Sequence, residues 1–472
     1  MIKLKQLFYT AMAVGSFNLS AQNYQISPEI NMRNDFAYHL IPFENTCVLL
    51  RDKSYRISFQ TLREDFTWTT EKDIELKGKK WKILEALPHG KNMGVLYISK
   101  TELKSLLVYS IYDQNGLQKH EQILNIPFDP DLNSEANLVS SESKNWISAG
   151  IKDKNGKRWI ITFDRMDQKD PFCKPSKDLF NFEDYAASYA VLSNEGKLYL
   201  LGTEKQKIKR KETSTIQVQG IGPNGERILS KMTTVQEADF YDMDFKINNQ
   251  NGELIMAGLY SDAGENYPAG YLYYNFMKDQ DIKIIPFEKE NLKNWGLKGN
   301  ELKQSQINLS IRDLKFKEDG SVLVFFENSK ELMRRPYFNN SMDPAGVGSI
   351  RWIDYYYDDI ITISIDQSGN KQWEQILRKR QFSQDDLGLY SSFFIVTNQS
   401  LLRVLFNDEI KNESTVSEYI LLPDGRHYRK SILNTGALSL NLRIQDAQQT
   451  TSNTVWVPSE TSGKMVLVKI VL

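Results

Sequence analysis

Cysteine and histidine are scarce in this chain of 472 residues, which contains two cysteines and four histidines. Cys47 and Cys173 allow one disulfide bridge at most, and its formation depends on a Cα separation below about 7 Å that a sequence does not reveal. Neither cysteine has a histidine or a second cysteine at metal-ligand spacing. The histidines are scattered and belong to no nucleophile or zinc motif: His39, His89, His120 and His427. The sequence predicts no metal site and no cofactor, and it does not decide whether Cys47 and Cys173 form a disulfide.

An excess of charge of either sign is also missing. The 59 basic and 60 acidic side chains nearly cancel. No global field therefore attracts the protein to nucleic acid or to an anionic membrane. Any electrostatic binding is expected to be local.

The mature chain has no predicted transmembrane segment, and the apolar run near the N-terminus is too short to be one. That run, Leu7 to Val14, follows Lys3 and Lys5 and falls well below the roughly 20 residues that span a bilayer. The pattern predicts a signal peptide over residues 1–22, cleaved near Ala21, and a periplasmic or secreted product. The alternative is an N-terminal membrane anchor. No cysteine follows the cleavage region, so no lipid attachment is predicted there.

What the sequence does have is a repeated strand, turn and strand. The clearest copy runs from Asp239 to Tyr260, where Phe245 and Ile247 alternate with polar neighbours and Asn251-Gly252 forms a hairpin turn. Hydrophobic residues make up 40% of the chain and aromatic residues 11%, which supports a folded protein with a core.

Sliding this hairpin along the sequence gives eight copies, separated by 47 to 79 residues. Their second strands contain the following equivalent positions: Val48, Val95, Ile147, Leu198, Leu254, Val322, Leu401 and Val455. A further strand pair usually follows each hairpin. Repeats of this length with four strands each predict an all-β protein, a β-propeller of eight four-stranded blades that forms a single domain over residues 23–472. Seven blades is the alternative, because the third and eighth copies are weak.

The two ends of the chain are expected to complete one blade. The C-terminal strand, Met465 to Leu472, leaves no room for an outer partner after it. Residues near Asn23 to Ile30 are therefore predicted to supply the missing strand, which removes an exposed sheet edge.

One turn carries a family resemblance. The segment Asp366-Gln-Ser-Gly-Asn-Lys-Gln-Trp373 resembles, with shorter spacing, the tryptophan-docking repeat of quinoprotein-type propellers. The chain as a whole resembles secreted bacterial β-propeller proteins of unknown function. The resemblance implies the fold, and no residues match a quinone-binding set. Some envelope propellers that look similar are accessory subunits of export machinery, so the resemblance also implies a protein partner.

The long insertions are expected to share one face of the propeller. Turns within the two hairpins of a blade emerge on one face, and all the other connections emerge on the opposite face. Every large insertion belongs to the second class: residues 204–214, 261–269, 288–310, 327–359 and 379–390. Surface loops on a rigid scaffold commonly carry recognition, so this face is the predicted functional one.

The longest insertion concentrates arginine and aromatic residues, which dominate binding hot spots. The predicted partner-binding residues are Arg334, Arg335, Tyr337, Arg351, Trp352, Tyr356, Asp358 and Asp359. An alternative is that the tyrosines of this segment only begin the next strand and pack. The basic run from Lys205 to Lys211 is interpreted as a solvated loop, or else as a local contact for an acidic partner.

Two functions from different classes remain open. The favoured hypothesis is a noncatalytic propeller that binds a protein partner in the cell envelope, or a glycan, through the insertion-rich face. The alternative is a carbohydrate-active enzyme, a glycoside hydrolase or lyase, that uses Asp358, Asp359, Asp385 or Asp386. A glycosidase of that kind needs two carboxyl groups facing each other across about 5–10 Å.

Overall fold

The computed structural model describes most of the chain after the predicted signal peptide. The described residues are 23–53, 55–167, 169–179, 189–208, 211–236, 238–263, 265, 267–278, 280–295, 308–334, 352–410 and 413–472. The predicted signal peptide, residues 1–22, lies outside them.

Eight antiparallel sheets form the described structure, and seven of them are built from consecutive strands. Blade 1 contains β3 (Ala37–Pro42), β4 (Cys47–Asp52), β5 (Ile57–Leu62) and β6 (Lys72–Ile74). Blade 2 contains β7 (Lys80–His89), β8 (Asn92–Lys100), β9 (Ser105–Tyr112) and β10 (Gln118–Leu124). Blade 3 contains β11 (Asn137–Ser140), β12 (Trp146–Lys152), β13 (Arg158–Asp164) and β14 (Phe172–Pro175). Blade 4 contains β15 (Tyr189–Leu192), β16 (Leu198–Ile208), β17 (Lys211–Ile221) and β18 (Arg227–Gln236).

The second half of the chain repeats this arrangement. Blade 5 contains β19 (Ala238–Asn248), β20 (Glu253–Asp262), β21 (Gly270–Asn275) and β22 (Lys283–Pro286). Blade 6 contains β23 (Asn308–Phe316), β24 (Val322–Arg334), β25 (Trp352–Ile365) and β26 (Lys371–Leu377), and β27 (Gln381–Gln384) also pairs with β25. Blade 7 contains β28 (Phe394–Thr397), β29 (Leu402–Ile410), β30 (Glu413–Leu421) and β31 (His427–Asn434). Blade 8 contains β32 (Gln448–Thr451), β33 (Thr454–Thr461) and β34 (Lys464–Val471), and its fourth strand is β1 (Asn23–Ile26). The prediction of eight four-stranded blades is confirmed, including the weak third and eighth copies.

Both ends of the chain close the ring in blade 8. Strand β1 (Asn23–Ile26) pairs antiparallel with β34, with Asn23 opposite Val471 and Ile26 opposite Val468. Strand β2 (Ile30–Asn31) pairs with the start of β34. The predicted joining of the termini is confirmed. It gives β34 a partner along an edge that would otherwise be open.

The first strand of each blade is the innermost, since neighbouring first strands such as β15, β19 and β23 contact one another. The core lies between blades. Ile255 and Ala257 of blade 5, for example, pack in one cluster with Val324 and Phe326 of blade 6. Second strands are apolar on both sides because a neighbouring blade covers each side.

An aromatic side chain of one blade docks on a turn of the next. Trp373 of blade 6 donates its Nε1 hydrogen to the Pro423 carbonyl oxygen of blade 7 at 3.1 Å. Its ring covers Gly425, whose φ is +89°. The tryptophan-docking turn identified in the sequence therefore has a docked indole. Equivalent contacts join other blades: Phe59 on Gly116, Phe172 on Gly225 and Tyr273 on Gly369.

Four details complete the comparison with the sequence. Both cysteines are free, because Cys47 is buried in blade 1 and Cys173 packs in blade 3. The basic run, expected as a loop, continues β16 and β17 as paired strands as far as Ile208 and Lys211. The insertion after blade 5 contains a short helix, α1 (Lys289–Asn294). Finally, the first strand of blade 8 begins at Gln448, because Ile444 packs in the core from a short 3₁₀ turn.

Candidate functional site

The connections between second and third strands, and between successive blades, share one face, which we call the upper face. Antiparallel order places them at the opposite end of each blade from the tight turns. The largest described structure on the upper face belongs to blade 6. There β24 and β25 extend past their neighbours and remain paired from Ser329 opposite Tyr357 to Arg334 opposite Trp352. Strand β27 pairs with the same part of β25. We call this three-stranded extension the arm.

Directly opposed residues of antiparallel strands lie on the same side of a sheet. The pairings of Arg334 with Trp352, and of Tyr356 with Phe382, therefore place these four side chains on one side of the arm. Leu332, opposite Asp354, lies on the same side. We call this side the outer face of the arm.

The outer face presents large apolar groups to solvent. Trp352 is 37% exposed, and Phe382 is 56% exposed with its ring centroid 5.1 Å from that of Tyr356. The Arg334 guanidinium donates to Asp354 Oδ1 at 2.7 Å, and this ion pair holds the arginine beside the tryptophan. Asp354 itself is buried. Aromatic and arginine side chains held in this way are typical of binding hot spots.

A buried ionic network lies where the arm leaves the blade. The register shifts between Glu327 and Ser329. The Glu327 carboxylate there forms ion pairs with Lys379, at 2.7 Å from Nζ, and with Arg312, at 2.8 Å from Nε. Ser392 of the next connection donates to the same carboxylate at 2.7 Å. Burial lowers the pKa of Lys379. These contacts restrict the motion of the base of the arm, because separating them would leave a buried charge without a partner.

The predicted partner-binding residues divide into three groups. Arg334, Trp352 and Tyr356 come together on the outer face of the arm. Asp358 and Asp359 lie at its base. Burial raises the pKa of Asp358, whose Oδ1 has no hydrogen-bond partner among the described residues, and Asp359 is ion-paired with Arg378. The remaining three lie outside the described residues: Arg335, Tyr337 and Arg351.

The second acidic pair shapes the connection after β27. Asp385 Oδ1 accepts a hydrogen bond from the Ile353 amide at 2.8 Å. Asp386 Oδ1 accepts from the Ser383 hydroxyl at 2.8 Å and from the Gly388 amide at 2.9 Å. Both carboxylates therefore cap backbone or hydroxyl groups, the common role of such residues in turns.

The central channel contains a second polar site, which sequence reasoning missed. A cavity of about 1140 Å³ is lined mainly by blades 8, 1 and 2. Near its upper end Arg443 contacts Glu460 Oε1 at 2.7 Å, Asp446 Oδ2 at 2.5 Å and the Tyr38 hydroxyl at 3.2 Å. Tyr38 also donates to Glu460. Residues 38 and 460 are far apart in the chain, so no local pattern predicted this cluster.

Two further groups of the cavity have pKa values shifted by burial. The pKa of His39 is lowered, which favours the neutral imidazole. The pKa of Glu85 is raised, although Lys144 and Arg165 act in the opposite direction. Desolvation dominates in both cases, since burial disfavours the charged form.

Two carboxylates on the inner strands of blades 5 and 6 have pKa values that are shifted in opposite directions. Burial raises the pKa of Asp244 to about 6. Burial also acts on Asp313, but its ion pairs with Lys315 and Lys246 lower the pKa of that carboxyl overall. Lys246 reaches across to blade 6, where it donates to the Leu314 carbonyl oxygen at 2.9 Å. The side chains of β19 therefore tie two inner strands together.

Among the described residues, no group of three or more histidine, cysteine, aspartate or glutamate side chains is arranged to hold a metal ion. In the same part of the chain, no helix has both the length and the apolarity needed to cross a membrane.

Comparison with protein-family models and with curated proteins finds no match. Solved structures similar to this chain include the WD40 domain of SCAP from fission yeast, at 9% identity and TM-score 0.39, with 96% of this chain and 94% of that chain covered. The WD40 domain of Toxoplasma gondii coronin has 7% identity and TM-score 0.38, covering 95% and 86%. A PL25 ulvan lyase, a polysaccharide lyase, has 10% identity and TM-score 0.35, covering 94% and 95%. The propeller assignment rests on this chain's own strand pairings.

Proposed function

We propose that this propeller binds a protein partner through the outer face of the arm. The observation that carries the proposal is that Arg334, Trp352, Tyr356 and Phe382 share one side of a projecting sheet. An exposed indole and phenyl ring next to an anchored guanidinium supply large contact area with little loss of rotamer freedom. The buried network at Glu327 fixes the orientation of this face, which reduces the entropy that is lost on binding.

We further propose that the mature chain is periplasmic or secreted and that the partner is a component of the cell envelope, such as part of an export machinery. The N-terminal charge and hydropathy pattern supports this location. N-terminal sequencing of the protein from its native source tests it, with a mature end close to Asn23 as the expected result. A chain that keeps Lys3 and Lys5 would contradict the proposal.

A glycan is the alternative ligand of the same face, since aromatic rings also stack on sugars. The alternative of a carbohydrate-active enzyme gains no support from the carboxylates it named. Asp359 is ion-paired, Asp385 and Asp386 cap the connection after β27, and Asp358 lies at the buried base of the arm.

The test is site-specific photo-crosslinking followed by an affinity measurement. A photo-reactive amino acid at position 352 or 382 should give one crosslinked envelope protein of constant mass. The purified partner should then bind the double variant Trp352→Ala, Phe382→Ala about 30-fold more weakly, because losing one hot spot costs about 2 kcal/mol.

Tyr428 provides the matched control. It is an aromatic residue of β31 that is 56% exposed, as Phe382 is, but it lies outside the arm. Tyr428→Ala should leave the affinity within twofold of the parent. Equal losses in the arm and control variants would refute the assignment of the face. Binding of a glycan by the arm, with no protein crosslinked, would replace the protein partner with the glycan alternative.

A further inference from the structure

The central channel cavity is large enough for a ligand and differs from the arm in its chemistry. Its volume of about 1140 Å³ exceeds that of most small-molecule sites. The inner strands of blades 1 and 2 form much of its wall, so the residues there are held by sheet hydrogen bonds on a rigid ring. A site on such a frame needs little reorganisation to bind.

The lining of the cavity is acidic, although the whole protein is nearly neutral. Its described lining residues include five carboxylates and two cations, Lys144 and Arg443. Asp35 is neutralised by Arg51 behind the wall, with Nε to Oδ2 at 2.6 Å. Arg443 is shared between Glu460 and Asp446, so one positive charge faces two negative ones at the upper end.

Two lining carboxylates, Glu44 and Glu85, have no ion pair among the described residues. Glu44 is exposed in the turn between β3 and β4, whereas Glu85 lies half-buried on β7. Its pKa is raised because burial outweighs the influence of Lys144 and Arg165. Because desolvation still outweighs these two cations, a further cation in the cavity would stabilise the half-buried carboxylate.

An aromatic ring stands at the upper end of the same cavity. Phe36 lines it and is 80% exposed, next in sequence to Asp35. Burying so large an apolar ring would be favourable, yet no described residue covers it. The face of such a ring attracts ammonium and guanidinium groups, an attraction that strengthens when carboxylates lie nearby.

We propose that the central channel binds an organic cation that carries ammonium or guanidinium groups, with Phe36 and Asp446 receiving it at the upper end and Glu85 within the wall. Such groups occur on free polyamines and on the side chains of a basic peptide segment. The acidic lining recognises the same chemistry in either source. This site is separate from the arm, so the channel proposal does not depend on the proposed partner binding.

The experiment measures binding of two probes to the mature chain by titration calorimetry at 20 mM and 150 mM salt. The probes are spermidine and a trilysine peptide with blocked ends. Binding of either probe, weakened at the higher salt concentration, is the expected result. Spermidine alone binding would identify a free polyamine as the source, whereas the peptide alone binding would identify a chain segment.

Variants separate the channel from the general surface. Glu85→Gln and Phe36→Ala should each weaken binding at least tenfold. Glu102→Gln is the control, because its carboxylate is on the surface with the side chain 76% exposed and paired to Lys79. Asp446→Asn gives an equivalent test should Glu85→Gln fail to fold, since the side chain of Asp446 is 43% exposed. No binding of either probe at 1 mM, or equal weakening by the control, would overturn the proposal.

Discussion

Glycine and tryptophan make a specific contact at the junction of blades 6 and 7. Gly425 adopts a φ of +89°, and an added Cβ there would lie 2.8 Å from Trp373 Cδ2. Gly156, in the turn between the second and third strands of blade 3, has a φ of +79° but has no atom within 4 Å of the position of its Cβ. Both glycines therefore need a positive φ, but only Gly425 has an aromatic ring packed against it.

Alanine substitution at these two positions should therefore separate backbone strain from docking. Gly156→Ala should cost about 1–2 kcal/mol of unfolding free energy, from the positive φ. Gly425→Ala should cost roughly 1–3 kcal/mol more, because the methyl group must displace the indole. Urea unfolding of both variants, followed by tryptophan fluorescence, checks this. Equal costs would show that the docked ring does not contribute.

Two carboxylates of the channel wall should respond to pH with opposite sign. The folded pKa of Asp244, about 6, is above its ordinary value of 3.8. Its ionised form therefore destabilises the fold, by up to about 3 kcal/mol above pH 6 and by less as the pH falls towards 4. Asp313 has a lowered folded pKa, so its ionisation stabilises the fold at neutral pH and that stability is lost in acid.

Asp244→Asn should stabilise the protein at pH 7.5 and do so by about 2 kcal/mol less at pH 4.5, where the parent carboxyl is already largely protonated in the fold. Asp313→Asn should destabilise it by about the same amount at pH 7.5 and pH 4.5 and by less at pH 3, because the contribution of that carboxyl is lost only below its ordinary pKa of 3.8. Urea unfolding at the three pH values measures both variants. An unchanged effect of Asp244→Asn between pH 7.5 and 4.5, or of Asp313→Asn between pH 4.5 and 3, would contradict the assignment of that pKa shift.

At the scale of elements, one arginine anchors the segment that joins blade 8 to blade 1. Residues 27–36 run from β1 to β3 over the upper face. Arg51 holds them through Asp35 Oδ2 at 2.6 Å and the Asn31 carbonyl oxygen at 2.5 Å. Its remaining donors reach Gln60 and Glu71, both at 3.1 Å. The Arg51 and Asp35 side chains are 6% and 3% exposed, so neither is solvated if the other is removed.

Arg51→Met should lower the free energy of unfolding by about 3–5 kcal/mol, because it leaves Asp35 charged and buried. Limited proteolysis should then cut between residues 27 and 36 first. Adding Asp35→Asn should recover part of the loss by removing that charge. If the double variant is as unstable as the sum of the two single variants, the ion pair is not the source of the stability.

The arm shows what local pattern can and cannot predict for an element. Arg334, Trp352 and Tyr356 stood out in the sequence by residue type, and strand alternation places them on one face. Phe382 was missed. It joins them through the pairing of β27 with β25, across a separation of about 25 residues that contains the whole of β26.

At the scale of the whole molecule, the ring arrangement places the tight turns of all repeats on one face and the longer connections on the other. Hairpin periodicity was enough to predict eight blades, since each copy carries its own turn and apolar strand. The closure by β1 and β34 was also predictable, because an unpaired last strand needs a partner. The central channel was not, because it is lined by residues that the chain order keeps hundreds of positions apart, such as Tyr38 and Glu460.

The sequence by itself determined the number of blades and the way the ring closes, because alternating apolar residues and glycine turns act over a few neighbouring positions. It also determined which insertion is rich in arginine and aromatic residues. Only the tertiary structure decided which of those side chains share the outer face of the arm and which charges meet in the channel. Those outcomes depend on register and on contacts between blades, which bring together residues that have no pattern in common along the chain.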